Sequence, residues 1–188
     1  MEQRVEIMTL GNSIQTPSVL ERIQALDEKI IRAVVTRRPQ EKRHPINRFM
    51  RGLTRIGDAD TWTLTLAILF FLGGQWREAF YTRTPALLAT LALTHVLKRI
   101  VRRKRPSVKI PGLAPLLGNP DAFSFPSSHS ACAWAACLGI GLHVPSLLFP
   151  AVGLAAGISW SRLHVGAHYL SDIIAGAAIG AGMVLWMS

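Results

Sequence analysis

Residues 161–186 read SRLHVGAHYLSDIIAGAAIGAGMVLW. From Ile173 onward the stretch carries no charge, while the residues before it hold Arg162, His164, His168 and Asp172. An ionisable side chain at bilayer depth costs about 2.5–3.5 kcal/mol on insertion scales, so such groups at the mouth of an apolar helix call for a function. The run itself reads as a membrane helix, about 169–187.

Three further uncharged stretches, 61–76, 84–97 and 130–161, extend the pattern towards the N-terminus. The third is too long for one span, and His143-Val144-Pro145 marks a turn within it. The reading is then five spans, at about 60–75, 84–99, 128–143, 146–161 and 169–187. A span needs roughly 20 apolar residues. These cores are shorter, so polar ends, tilt or burial against neighbours must make up the difference. The expected fold is all-α, an integral-membrane helical bundle of about five transmembrane helices preceded by amphipathic ones. Gly153 with Gly157 and Gly176 with Gly180, each pair four apart, predict close helix approach.

The first 57 residues differ in character. Ser18-Val19-Leu20-Glu21 has the form of a capping box. Val19, Leu20, Ile23, Leu26, Ile30, Ile31 and Val34 follow at helical spacing, with Glu21, Arg22, Asp27, Glu28 and Arg32 filling much of the rest. This helix is too charged to span and suits a membrane surface or the side of the bundle. A polar break, TRRPQEKRHP at 36–45, leads to a second short amphipathic helix from Ile46 to Ile56. The expected division is 1–57, a tail with amphipathic helices, and 58–188, a membrane-embedded domain.

The chain has 188 residues, 49% of them hydrophobic, yet a formal net charge of +10. That combination is ordinary for a small membrane protein and unusual for a soluble one. Eleven of the 21 Lys and Arg precede residue 56, and seven lie between Lys98 and Lys109. The N-terminus does not read as a secretory signal, because Glu2, Arg4 and Glu6 interrupt it and no apolar core follows. Cys132 and Cys137, within an apolar run, read as packing thiols. No CxxC, Walker loop or GxGxxG is present.

Three clusters carry chemistry. The first is Lys98 to Pro106, KRIVRRKRP. Lys98 and Arg105 are two helical turns apart, which predicts a shared face with Arg102 between them and a helix end near Arg105, set by Pro106. The second is Phe125-Pro126-Ser127-Ser128-His129-Ser130, opening an apolar helix whose free N–H groups favour an anion. In the third, His168 and Asp172 are four apart, adjacent on a helical face. A carboxylate bonded to one ring nitrogen leaves the other free to attack or to take a proton. Arg162 offers planar donors that match phosphate oxygens. His164 has no evident partner and reads as structural or as part of the rim. With five spans the three clusters share one membrane face.

At ordered spacing, K-x6-R-P from Lys98, P-S-S-H from Pro126 and S-R-x5-H-x3-D from Ser161 resemble the three signatures of the type 2 phosphatidic acid phosphatase family. That family includes integral-membrane lipid phosphate phosphatases and is related to vanadium haloperoxidases. Its middle motif is commonly P-S-G-H, and Ser128 replaces the glycine here. The resemblance implies His168 as nucleophile, forming a phosphohistidine. It implies Asp172 as the group that orients His168, and His129 as the proton donor to the leaving oxygen. Lys98, Arg105, Ser127, Ser128 and Arg162 would hold the phosphoryl group. No metal and no cofactor is implied.

A site at a membrane face predicts a membrane lipid substrate: phosphatidic acid, phosphatidylglycerol phosphate, an isoprenyl phosphate or diphosphate, or a lipid A phosphate. The expected partners are that lipid phosphate and the bilayer, with no nucleic acid. The basic tail and the catalytic loops fall on one side, with Arg77 and Arg83 alone on the other. The positive-inside rule then predicts a cytoplasmic-facing site, and the expected location is a bacterial inner membrane. Three rival readings are a non-enzymatic protein binding anionic lipid through its basic face, a haloperoxidase-like oxidant enzyme, and a metal hydrolase using His129, His164 and His168.

Overall fold

The computed structural model describes residues 17–118 and 121–188. Among them the regular structure is helical, apart from one isolated bridge between Lys104 and Phe123. The N-terminal helices are α1 (Val19–Arg37) and α2 (Pro45–Ile56). α1 opens on the expected capping box, with the Ser18 hydroxyl accepting from the Glu21 N–H. Helices α3 (Ala59–Leu72), α4 (Gly74–Val101), α6 (Ser128–His143), α7 (Leu148–His164) and α8 (Leu170–Trp186) cover the five apolar stretches, and α5 (Pro106–Lys109) is a single turn. A 3-10 turn at Pro145–Leu147 separates α6 from α7 where the turn is expected.

Two boundaries depart from the sequence reading. α4 begins at Gly74 rather than near Thr84, because the left-handed Gly73 and Gly74 complete the turn by themselves. Arg77 and Arg83 therefore lie on a helix, where Arg77 donates to the Phe70 carbonyl and Arg83 to the Ser188 hydroxyl. At its other end α4 stops at Val101, and Arg102 takes a left-handed conformation as its cap. Lys98 and Arg105 thus share no helix. Arg102 does not lie between them, since its side chain folds back to the Arg99 carbonyl.

α6 is the centre of the bundle, packed on α7, α8 and α4. It is built from small side chains, with Ala131, Ala133, Ala135 and Cys137 buried. α4, and the 3-10 turn with α7 over Pro145–His164, are long and apolar enough to cross a membrane; α3 and α8 are shorter. α3 has 14 residues, about 21 Å at 1.5 Å each, less than a hydrocarbon core of about 30 Å. Outward-facing Leu64, Phe71, Leu88, Phe149, Ile174 and Trp186 give the bundle an apolar exterior, as lipid requires.

The glycine pairs behave differently from each other. A Cβ at Gly176 or Gly180 would collide with the Ser127 or Ala131 carbonyl of α6, so α8 sits there only because both are glycine. Gly153 has nothing within 4 Å of such a Cβ, and Gly157 would meet Leu53 at an ordinary 3.6 Å. The second pair marks a close approach and the first does not.

The tail is tied to one end of the bundle. Arg38 donates to the His164 carbonyl at 2.7 Å and to the Ala114 carbonyl. Thr54 and Ser161 share a hydroxyl hydrogen bond of 2.7 Å. Asp27 accepts from the Ser171 N–H at 3.0 Å and from Arg103 at 2.7 Å.

Candidate active site

That same end collects the three clusters. Arg105, 2% exposed, caps α5 and points back under the loop before α8. Its guanidinium donates to the Ala167 carbonyl at 2.9 Å and lies 3.2 Å from the His168 Nε2. An arginine only donates, so Nε2 is the acceptor and the proton sits on Nδ1. Nδ1–H donates to the Ser124 carbonyl at 2.7 Å.

The expected His168–Asp172 pair is close but not directly hydrogen-bonded. His168 precedes α8, so the i, i+4 geometry of a helix does not apply, and Asp172 Oδ2 lies 3.6 Å from Nδ1. The tautomer is set by a backbone carbonyl. The Asp172 carboxylate instead accepts from Arg103 at 2.6 Å and from the Tyr169 N–H at 2.9 Å. Arg103 also stacks over the Tyr169 ring at 4.2 Å. His168 is fully enclosed. Burial first, and then the positive charges of Arg162, Arg105 and Lys98, hold it well below the ordinary imidazole value, so it is a neutral ring near pH 7.

Lys98 and Arg105 meet through Asp121. Lys98 Nζ lies 2.9 Å from Asp121 Oδ2, and Arg105 pairs with Oδ1. Burial pushes the Asp121 carboxyl up, but the two cations outweigh it and hold it below the usual carboxylate range. The carboxylate bridges both cations in the way two phosphate oxygens can. Arg162 is 3% exposed, and among the described residues its Nε has no partner; the buried Ser128 hydroxyl has none there either. Ser127 caps α6, its hydroxyl accepting from Ser130 N–H at 3.4 Å, and its own N–H donates to the Asp172 carbonyl at 3.0 Å. The site thus offers several donors and two unpaired buried ones, which suits an anion with several oxygens.

His129 faces Asp58, with Nε2 2.9 Å from Oδ1. Asp58 occupies the N-cap position of α3 yet makes no side-chain cap bond. Such a cap is worth about 1 kcal/mol, so its carboxylate is diverted to the histidine at a local cost. His164 lies outside the constellation: its Nε2 is 2.8 Å from the Asn47 Oδ1, a structural tie to α2.

Sequence reasoning missed Asp58, Asp121, Arg103, Asp27 and the Ser124 carbonyl. Asp27 carried a readable signal, since it is four residues from both Ile23 and Ile31 and so sits in the apolar stripe of α1. Asp58, a carboxylate at the mouth of an apolar helix, carried the same signal as the opening stretch. Asp121 and a backbone carbonyl carried none.

The model of the PAP2 superfamily matches residues 84–188, which include every motif residue. The chain is 36% identical over 137 residues to decaprenylphosphoryl-5-phosphoribose phosphatase of Mycobacterium tuberculosis (strain CDC 1551 / Oshkosh), covering 70% of this chain and 72% of that one. In fold it resembles a transmembrane PAP2-type phosphatidylglycerolphosphate phosphatase from Bacillus subtilis, with TM-score 0.72, 24% identity and coverage of 88% and 84%. It also resembles Aquifex aeolicus LpxE, with TM-score 0.74, 22% identity and coverage of 86% and 94%. Fold and kinship define an integral-membrane lipid phosphatase. The chain belongs to the PAP2 superfamily.

Proposed function

We propose that the chain hydrolyses a lipid-linked phosphate by way of a phosphohistidine on His168. The observation that carries this reading is the His168 ring itself: buried, neutral, with Nδ1–H tied to Ser124 and Nε2 turned to the Arg105 guanidinium. Substrate phosphate displaces Asp121 from Lys98 and Arg105, and Arg162, Ser127 and Ser128 supply further donors. His168 Nε2 attacks phosphorus as the phosphorus–oxygen bond to the lipid breaks, and His129 passes a proton that arrives with the phosphate to the departing oxygen. A water, deprotonated by His129, then attacks the phosphohistidine. The phosphorus–nitrogen bond breaks and inorganic phosphate leaves. Asp58 holds the His129 ring and supplies the negative charge that an imidazolium needs.

Asp172 acts at one remove in this scheme, fixing Arg103 and the start of α8 beneath His168. The cationic side chains do the work that a metal ion does in other phosphatases, so none is required. As substrate class we favour an isoprenyl-linked or glycerolipid phosphomonoester, on the strength of the substrates that the relatives' names state. The segment 1–57 is read as a tail with amphipathic helices ahead of a phosphatase domain of 58–188. Its attachment at the site's end favours, by the positive-inside rule, a cytoplasmic-facing site in a bacterial inner membrane.

The test is phosphate release by detergent-purified protein in EDTA, with phosphatidic acid, phosphatidylglycerol phosphate and an isoprenyl diphosphate as substrates. Release survives chelation in this reading and disappears in His168→Ala. Appreciable activity in that variant would remove His168 as nucleophile.

A further inference from the structure

α1 reaches the back of His168 through one side chain. Asp27 lies in the apolar stripe of that helix and is 3% exposed. Its Oδ1 accepts from the Ser171 N–H at 3.0 Å. Its Oδ2 accepts from the Ser171 hydroxyl and from Arg103 Nη2, the latter at 2.7 Å. Arg103 Nη1 donates to the Ser171 hydroxyl at 2.7 Å and to Asp172 Oδ1 at 2.6 Å. The other Asp172 oxygen is 3.6 Å from His168 Nδ1. One guanidinium therefore joins two carboxylates, and Asp27 comes from outside the residues that the PAP2 model matches.

Docking of α1 does not require that charge. Ile31, four residues along on the same face, belongs to a buried cluster with Ile110, Leu163, Tyr169 and Ile173. Arg38 ties the end of the helix to the His164 and Ala114 carbonyls. A buried ion pair is often no more stabilising than apolar side chains of the same volume. Nor does Arg103 require Asp27, since Asp172, the Ser171 hydroxyl and the Tyr169 ring already engage it. What Asp27 adds is net charge. Arg103 with Asp172 alone is neutral, whereas two carboxylates on one guanidinium leave one net negative charge on the Nδ1 side of the ring. Glu28 and Lys109, nearby, pair with each other at 2.8 Å and do not alter that balance.

The Nδ1 side matters in the reaction proposed above. The Nε2 lone pair forms the bond to phosphorus as the bond to the lipid oxygen breaks, and Nδ1 keeps its proton. The ring thus passes from neutral to cationic. Arg162, Arg105 and Lys98 oppose that change. A negative group behind the ring, shut off from water, favours it. We propose that Asp27 is a positioning residue for this reaction: acting through Arg103 and Asp172, it supplies the net negative charge that stabilises the phosphohistidine on His168. The proposal rests on the His168 reading and adds to it a residue on α1. Neutralising either carboxylate slows the step without abolishing it.

Orthovanadate separates this role from anion binding, because vanadium accepts a fifth ligand and bonds to a nucleophilic nitrogen, whereas inorganic phosphate does not. The full chain in phosphatidylcholine nanodiscs is titrated with each anion by calorimetry. It is assayed on whichever of the three lipids above the wild type hydrolyses fastest. In Asp27→Asn, vanadate affinity and kcat fall about tenfold, while phosphate affinity and KM stay within about twofold. Ile31→Ala, which loosens α1 and touches no charge, lowers the unfolding midpoint and leaves the vanadate-to-phosphate affinity ratio of the folded protein within about twofold. Parallel loss of both anions in Asp27→Asn, or an equal change of ratio in Ile31→Ala, overturns the proposal and leaves Asp27 a docking residue. The double variant Asp27→Ser with Ser171→Asp exchanges hydroxyl and carboxylate across Arg103 and keeps the net charge, so it decides the matter where Asp27→Asn does not fold. Its vanadate affinity is expected within about threefold of wild type, and a loss of about tenfold overturns the proposal. His168→Ala tests the underlying reading. Vanadate binding as tight there as in wild type removes His168 as nucleophile, and the role of Asp27 falls with it. A preference for vanadate that vanishes in His168→Ala but survives in Asp27→Asn overturns the role of Asp27 alone.

Discussion

At the scale of the residue, the decisive contacts run through groups that have no signature of their own. The His168 tautomer depends on the Ser124 carbonyl, and Lys98 and Arg105 are held by Asp121. Asp172, expected to orient the histidine, lies 3.6 Å from its Nδ1 and makes its short contact with Arg103. Asp172→Asn should therefore act first on stability. It leaves Arg103 facing an uncharged amide in a site where Asp172 is fully buried, and breaking such a pair costs about 3–5 kcal/mol. The expected outcome is a marked drop in thermal or SDS unfolding midpoint, with the fraction that remains folded still hydrolysing substrate. An unchanged midpoint with abolished turnover would return Asp172 to direct contact with His168 chemistry.

At the scale of the element, α6 and α8 carry the geometry. The N-terminus of α6 presents Ser127, Ser128 and His129, and its position is set by contact of its backbone with Gly176 and Gly180 of α8. Gly180→Leu should force the two helices apart, at a cost of about 1–3 kcal/mol or more, and should reduce activity with it because His129 moves. Gly153→Ala is the matched control. Its new methyl meets nothing, and replacing a mid-helix glycine by alanine gains about 0.5–1 kcal/mol. Unfolding midpoints moving in opposite directions support this account. Similar midpoints for both variants would show that the helices do not rely on that contact.

At the scale of the whole molecule, burial of a neutral histidine links stability to pH. The folded-state value of His168 is depressed, so below about pH 6.5 the unfolded chain takes up a proton that the folded one does not. Its contribution to stability is complete above that pH and declines as pH falls below it. The expected slope is up to about 1.4 kcal/mol per pH unit for this one group. Unfolding free energies from pH 7.5 to 5.5 should be less steep in His168→Asn than in wild type. Identical slopes would mean that the ring takes up its proton in the folded protein as it does in the unfolded chain. The same depression keeps His168 Nε2 unprotonated at neutral pH, so in the proposed mechanism an acid limb of activity near pH 6.5 belongs to another group.

Helix positions, the capping box at Ser18, the turn at Pro145 and the three phosphate motifs were legible in the chain. Each rests on local physics: periodicity, hydrogen-bonding caps, proline's missing N–H, and the cost of charge beside an apolar run. The end of α4 was misread because a left-handed Arg102 overrode the signal of Pro106. Pairings between distant residues were not legible. Asp58 with His129, Asp27 with Arg103, and Asp121 with Lys98 and Arg105 join positions from 16 to 76 residues apart. The amino-acid sequence by itself determined a membrane bundle with its motif cations and histidines at one end. Only the tertiary structure decided which carboxylate or carbonyl satisfies each buried cation and ring nitrogen, because desolvation must be offset by whichever partner packing brings within hydrogen-bond reach.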